Sequence, residues 1–361
     1  MRRNKKNRKK HPQPFSKLQM NTTNILFTCA GRRNYLINYF KEALQGNGIV
    51  LAADSQLSAP AMVDADLAIQ VPSIYSSEYI DKLKALIISH EVSAVISLND
   101  LELPILSKHK DELESLGTKV IVSSPDVIDI AFDKWKTFNF FKEIGIDTPK
   151  TYHTLKDATN ALNSGKLKFP LIVKPRWGSA SIAIDVAENE EELQLVYQLQ
   201  RIKIAKSILK NASSVDIEKS ILIQEKIDGE EYGIDILNDF SGNHFGSFIR
   251  KKMAMRSGET DKALSVVNSD YAEIAEKIAE KTKHIGNMDC DFFVSNGKVY
   301  YLEMNPRFGG GYPFSHEAGI NTPSIYISWL RGENSIEKYN NFKAGLMFSK
   351  CDKIIPIKKW E

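Results

Sequence analysis

The 361-residue sequence predicts an α/β and α+β protein: a parallel sheet wrapped by helices, followed by a region built on antiparallel hairpins. Three observations predict this. Strand-like and helix-like periods alternate through the first third of the chain. Beyond residue 125 short strands succeed one another through Gly- and Asn-bearing turns, the mark of hairpins. The length is enough for two or three cores.

The elements follow in order. Ile25–Cys29 reads as a buried strand, Asn34–Leu44 as an amphipathic helix and Ile49–Ala53 as a second strand. Helix Glu78–His90 precedes strand Ala94–Leu98, and helix Leu103–Leu116 precedes strand Lys119–Val122. Ala30-Gly31-Arg32 follows the first strand where a dinucleotide fingerprint would sit, but the full G-x-G-x-x-G is absent. Asp54 and Asn99-Asp100-Leu101-Glu102 fall at strand C-ends, where open α/β sheets bind ligands and where helix caps also sit. A helix over Asp126–Ile144 is ended by Gly145. "FPLIVKPRWGSASIAIDV" reads as strand, small-residue loop and strand, and Asn189 opens a helix with an acidic first turn. The helical insert Leu193–Lys210 leads to the strand "SILIQEKI", then to another strand in "DGEEYGIDILND". Two strands, Cys290–Val294 and Lys298–Met304, flank the turn signal Asn296-Gly297.

Charge and composition exclude several function classes. Residues 1–19 carry eight Lys/Arg and no Asp/Glu, leaving 40 basic against 45 acidic side chains, a balance of −5, in the rest. A mildly acidic body argues against nucleic acid as the main partner. The leader is expected to be a disordered extension, with Met20 a candidate start. No apolar run resembles a secretory signal or a membrane span. Cys29, Cys290 and Cys351 are scattered and odd in number, which points to a reducing compartment and a cytoplasmic protein.

The chemistry concentrates in four places. "IVKPRWGSASIA" sets Lys174 on a strand before a loop of small residues, where an ammonium and free N–H groups can meet phosphate. "QEKIDGEEYGIDIL" offers main chain at Glu225–Ile227 for an adenine edge and Glu231 for ribose hydroxyls. "LEMNPRFGGG" places Glu303, Asn305 and Arg307 at alternate positions where a strand runs out. The strand period of two puts Glu303 and Asn305 on one face, suiting a divalent cation and neighbouring phosphates. A three-residue turn with Gly297 in a left-handed bulge would pair Asp291 with Tyr301 and bring Asp291 onto that face. "RKKMAMRSGETDKA" clusters Arg250, Lys252, Arg256 and Glu259; its cations could neutralise an acyl phosphate or steer a carboxylate, or form an exposed basic loop.

Lys134, then V-K-P with a small-residue loop, then Q-E-x-I-x-G-x-E, then D-F-F-V…V-Y-x-L-E-x-N-P-R resembles the ATP-grasp superfamily, in particular proteins related to the carbamoyl phosphate synthetase large subunit. The resemblance covers roughly residues 24–335 and is strongest over "KVYYLEMNPRFGGGYPFSHEAGIN". It implies a leader over 1–20, a pre-ATP-grasp domain over 21–125, an ATP-grasp domain over 126–335 and an extension over 336–361. Within the second domain it implies a lid lobe near 150–226 and a large lobe near 227–335. Lys134 and Lys174 would contact ATP phosphates, and Gly178, Ser179 and Ser181 would form the lid over them. Gln224, Glu225 and the backbone of Lys226 and Ile227 would hold adenine, and Glu231 the ribose. Asp291, Glu303 and Asn305 would bind Mg²⁺, with Mn²⁺ able to replace it. Lys174, Arg307, Arg250 and Arg256 would act on the transferred phosphoryl group.

Two departures stand out: Ala180 and Ala183 lie where relatives have more glycine, and Asp291 where carbamoyl phosphate synthetases commonly carry an amide. The implied activity is an ATP- and Mg²⁺-dependent carboxylate–amine ligase working through an acyl phosphate. Its partners would be a carboxylic acid and an amine, and a homodimer is compatible with it. A phosphotransferase that stops at the phosphorylated product and a non-catalytic nucleotide-binding protein are the alternatives. His316 receives no role.

Overall fold

The computed structural model describes residues 22–178 and 183–357. Its first unit alternates β1 (Asn24–Thr28), α1 (Asn34–Leu44), β2 (Val50–Asp54), α2 (Pro60–Asp64), β3 (Leu67–Gln70), α3 (Tyr79–Ser89), β4 (Val92–Ser97), α4 (Leu103–Lys108), α5 (Lys110–Glu114) and β5 (Lys119–Val120). The strands form one parallel sheet in the order β3-β2-β1-β4-β5. Continuous apolar strands such as "ILF" and "VLAA" are buried on both faces, as a helix-covered parallel sheet requires. The short α2 and β3 carry too few residues for a periodic signal. The helix expected over Leu103–Leu116 divides at His109 into α4 and α5.

Helix α6 (Pro125–Phe132) and helix α7 (Lys134–Glu143) then lead away from the sheet. One helix was expected over Asp126–Ile144. It breaks at Asp133, whose extended backbone and carboxylate cap α7 by accepting from the N–H groups of Trp135 and Lys136. That carboxylate also holds Arg176 through two bonds of 2.7 Å, so a long-range ion pair fixes the break.

The next lobe comprises β6 (Thr151–Tyr152), α8 (Leu155–Asn163), β7 (Leu171–Pro175), β8 (Asp185–Ala187), α9 (Glu190–Ala205), α10 (Lys210–Ser213) and β9 (Ile221–Glu225). Its antiparallel sheet runs β6-β9-β7-β8. Asn189 caps α9 by accepting from the Glu192 N–H.

The large sheet is built from β10 (Glu230–Asn238), β11 (His244–Arg256), β12 (Glu259–Val266), then α11 (Ser269–Thr282), β13 (Gly286–Ser295) and β14 (Lys298–Asn305). Helices α12 (Tyr312–Glu317) and α13 (Thr322–Leu330) follow, and β15 (Met347–Ser349) completes the order β14-β13-β10-β11-β12-β15. One face of this sheet is apolar: Tyr232, Ile234, Ile249, Cys290, Phe292, Tyr301 and Met304 pack on α6, α7 and α11. The opposite face carries the polar side chains described below. Phe308, Tyr312 and Tyr326 pack in one cluster with Phe27, Phe40 and Ile96, so the two units share a core. Among the described residues no helix is long and apolar enough to cross a membrane.

Candidate active site

Asn296 and Gly297 form a two-residue turn, both with positive φ (50° and 75°), which matches the twist of β13 and β14. Ser295 therefore pairs with Lys298, and Phe292 with Tyr301. The register then slips by one residue at Leu302, and Asp291 lies directly opposite Glu303. The expected turn of three residues and the Asp291–Tyr301 pairing are thus corrected: Gly297 is left-handed, but the bulge sits inside β14. The bulge lets Tyr301 and Met304 both enter the apolar core while Glu303 and Asn305 point the other way.

Cross-strand register extends that polar face. Gly233 lies opposite Asp291 on one side and Arg250 on the other, and Asp235 lies opposite Asp289. Lys252, two residues beyond Arg250, reaches both Asp291 and Glu231 at 2.8 Å and is only 5% exposed. Burial would strip its proton, but the two carboxylates hold it and raise the pKa. Burial likewise raises the Asp291 carboxyl, against the opposing pull of Lys252. Burial also pushes Glu303 up, yet Lys134, Lys174 and Lys252 outweigh it and hold that carboxyl below its ordinary value.

The small lobe and α7 contribute the other cations. Lys174, on β7, is buried and donates to Gln224 Oε1 at 2.8 Å, while Gln224 Nε2 donates to Thr151 Oγ1. A neutral amide is a weak partner for an ammonium, so burial lowers the Lys174 pKa to about 8. Lys134, the first residue of α7, donates to the Gly178 carbonyl and stands 3.4 Å from Glu303. Three lysines from three elements therefore surround one carboxylate pair. Such a surplus of cations with oxygen donors between them suits a polyphosphate and a hard divalent cation.

Residues 217–354 match the family model described as ATP-grasp in the biosynthetic pathway with Ter operon. Residues 25–121 match the model of the PylC-like N-terminal domain. Over residues 217–354 the chain is thus similar to the ATP-grasp superfamily. It is 26% identical over 251 residues to the carbamoyl phosphate synthase large chain of Campylobacter jejuni, covering 66% of this chain and 22% of that one. The large chain of Archaeoglobus fulgidus is 27% identical over 234 residues, covering 62% and 20%. The chain thus spans about a fifth of the length of these relatives. Among solved structures, it resembles the biotin carboxylase domain dimer of Hydrogenobacter thermophilus 2-oxoglutarate carboxylase, solved with MgADP, ADP and bicarbonate. That likeness has a TM-score of 0.71 at 18% identity and covers 90% of this chain and 73% of the other. The L-amino acid ligase of Bacillus licheniformis gives a TM-score of 0.66 at 20% identity, covering 86% and 76%.

Other residues of the site lie where local sequence does not place them. Arg250 is not on a loop. It stands on β11, 2% exposed at its side chain, bonded to Asp235 at 2.6 Å and to Asp289. Ser315 and Asn287 donate to the same Asp235. A Cβ on Gly233 would come within 2.8–2.9 Å of the Arg250 guanidinium, and one on Gly311 within 2.2–2.4 Å. Gly309 meets Asp289 in the same way. The glycine run thus lies flat over a buried ion network, and the Arg250 guanidinium is engaged in holding it. Arg256, at the exposed end of β11, pairs with Asp261 at 2.9 Å and Asp352 at 2.5 Å, away from the carboxylate pair.

Arg307 is buried and bonded to Asp100, so the loop after β4 and the end of β14 meet across 207 residues. Glu102 anchors that loop by accepting from Thr28, Ser97 and Tyr79. Asp54 accepts from the Gly31 and Gln56 N–H groups and so caps the loop after β1. A small pocket opens between these units, lined by Asp100, Phe132, Lys134, Gly178, Asn305 and Pro306. Glu225 pairs with Lys150, and its N–H donates to the Lys150 carbonyl. Lys226 and Ile227 lie beyond the end of β9, in the link to β10. Ser179 and Ser181 lie outside the described residues. His316 stacks on Tyr39 with centroids 3.6 Å apart, and its imidazole is pushed down to about 4 by burial.

Among the described residues no group of three or more His, Cys, Asp or Glu forms a metal cage. The donor set here is two carboxylates and one amide, with Asn305 Nδ2 3.4 Å from Glu303 Oε1. That is too few for an all-protein site but fits Mg²⁺, which keeps waters and takes further oxygens from substrate phosphates. Lys252 is the residue the sequence named only as part of a basic cluster. Its period-two relation to Arg250 on a strand was the available signal.

Proposed function

We propose that this protein joins a carboxylic acid to an amine using ATP, through an acyl phosphate, with release of ADP and phosphate. The observation that carries the reading is the opposed Asp291–Glu303 pair ringed by Lys134, Lys174 and Lys252. Asp291, Glu303 and Asn305 would hold Mg²⁺, which when bound supplies neutralisation of phosphate charge. Lys174 reaches the phosphates from the small lobe, Lys134 from the start of α7, and Lys252 from the large sheet. Gln224 orients Lys174, while the main chain of Lys226 and Ile227 takes the adenine edge and Glu231 the ribose.

The substrate carboxylate attacks the γ-phosphorus beside Arg307, whose guanidinium stabilises the charge of the transferring group. Asp100 keeps that guanidinium in place. The amine then displaces phosphate to give the amide. No side-chain nucleophile enters. The test is Mg²⁺-dependent ADP release across a panel of acids with amines. Glu303→Ala should abolish it; undiminished turnover in that variant would overturn the reading.

A further inference from the structure

A second group of charges lies beside Arg307, which donates to the Phe308 carbonyl. Arg33, at the start of α1, donates to the Phe308 carbonyl. Among the described residues no carboxylate stands within ion-pair distance of it. Tyr35 points its hydroxyl toward the Gly309 carbonyl at 3.5 Å. The same tyrosine lies within electrostatic reach of Arg33, Glu259, Arg307 and Asp289, so these groups surround one place. Glu259, at the first residue of β12, has its carboxylate 3.4–3.6 Å from where a Cβ on Gly310 would stand. Lys350, just past β15, reaches Glu259 at 3.3 Å. Its N–H donates to the Asp261 carbonyl, so backbone pairing of the last strand sets its position. Burial lowers the Lys350 pKa against the pull of Glu259, and Arg33 and Arg250 lower it further.

The pairing within this group is uneven. Arg307 is matched by Asp100, and Arg250 by Asp235 and Asp289. Lys350 pairs with Glu259, while Arg33 has only the Phe308 carbonyl. Beside the glycine run, Arg33 is therefore a cation without a carboxylate of its own among the described residues, next to the Lys350–Glu259 pair. An anionic group is what such an unpaired guanidinium recognises.

We propose that the acid substrate carries two carboxylates: one is presented to Arg307 for phosphorylation, and the second is held by Arg33 and Lys350. The inference rests on the ligase reading for the fate of the first carboxylate only. Glu259 remains able to accept from an amino group, so dicarboxylic amino acids belong to the same class. Residues 347–350, paired along β12, supply one wall of this subsite.

Calorimetry with Mg²⁺ and a non-hydrolysable ATP analogue tests this on the full chain, using matched pairs such as glutarate against pentanoate and glutamate against norvaline. Each diacid should bind roughly tenfold to a hundredfold tighter than its partner, the range of a charge-assisted bond. Arg33→Met and Lys350→Met should each erase most of that preference, while Arg33→Lys and Lys350→Arg keep part of it. Where turnover is measurable, the methionine variants should raise KM for the diacid and leave kcat nearly unchanged. Equal or tighter binding of monoacids, no binding by either class, or an undiminished preference in both methionine variants overturns the proposal. Diacid binding without ADP release under any condition would instead count against the ligase reading and leave the subsite standing.

Discussion

Raising the pH should loosen the grip on nucleotide through one side chain, Lys174. Burial sets its pKa at about 8 against an ordinary 10.5, because its close partner is the neutral amide of Gln224. Phosphate needs the ammonium form. Between about pH 7 and about pH 9 the charged fraction falls from about nine-tenths to about one-tenth, so affinity should drop about tenfold, or ~1.4 kcal/mol. Stability without nucleotide should move the other way. From about pH 8 to about pH 10.5 the unfolded chain binds the proton that folded Lys174 has lost, so unfolding free energy gains from this group as pH rises. Titration calorimetry with a non-hydrolysable analogue over this range reads the first effect, and urea unfolding reads the second. Lys174→Met should bind weakly with the slope removed, and Lys174→Arg should keep affinity at high pH. A flat wild-type profile, or an equal slope in the methionine variant, would refute the argument.

Two further perturbations test the large sheet. Gly233→Ala drives a methyl group into the Arg250 guanidinium and should cost about 3 kcal/mol in urea unfolding, the scale of disturbing a buried ion pair. Stability equal to wild type would mean that the Arg250 network yields freely. Deleting Leu302 removes the bulged residue yet leaves Glu303 next in line opposite Asp291. Mg²⁺-dependent nucleotide binding should therefore survive that deletion, and its loss would show that the bulge itself shapes the site.

Much of this protein follows from local pattern. The alternation of apolar strands and amphipathic helices is enough for the parallel sheet, because each segment must bury its own apolar face. The E-x-N spacing suffices to place Glu303 and Asn305 together, since a strand repeats every two residues. The position of Lys174 before a small-residue loop follows from the same period. Tertiary structure decided the rest. The break between α6 and α7 depends on Arg176, 43 residues from Asp133. Arg250 reads along the chain as a cation for the transferred phosphoryl group, but Gly233, Asp235, Asp289 and Gly311 enclose it from distant segments. Arg307 meets Asp100 across two units, and Lys252 finds Glu231 and Asp291 across neighbouring strands. Period and propensity act over a few bonds and can be read along a chain. Which charge neutralises which is settled only when strands from far-apart segments come within hydrogen-bonding distance, where burial makes an unpaired ion costly.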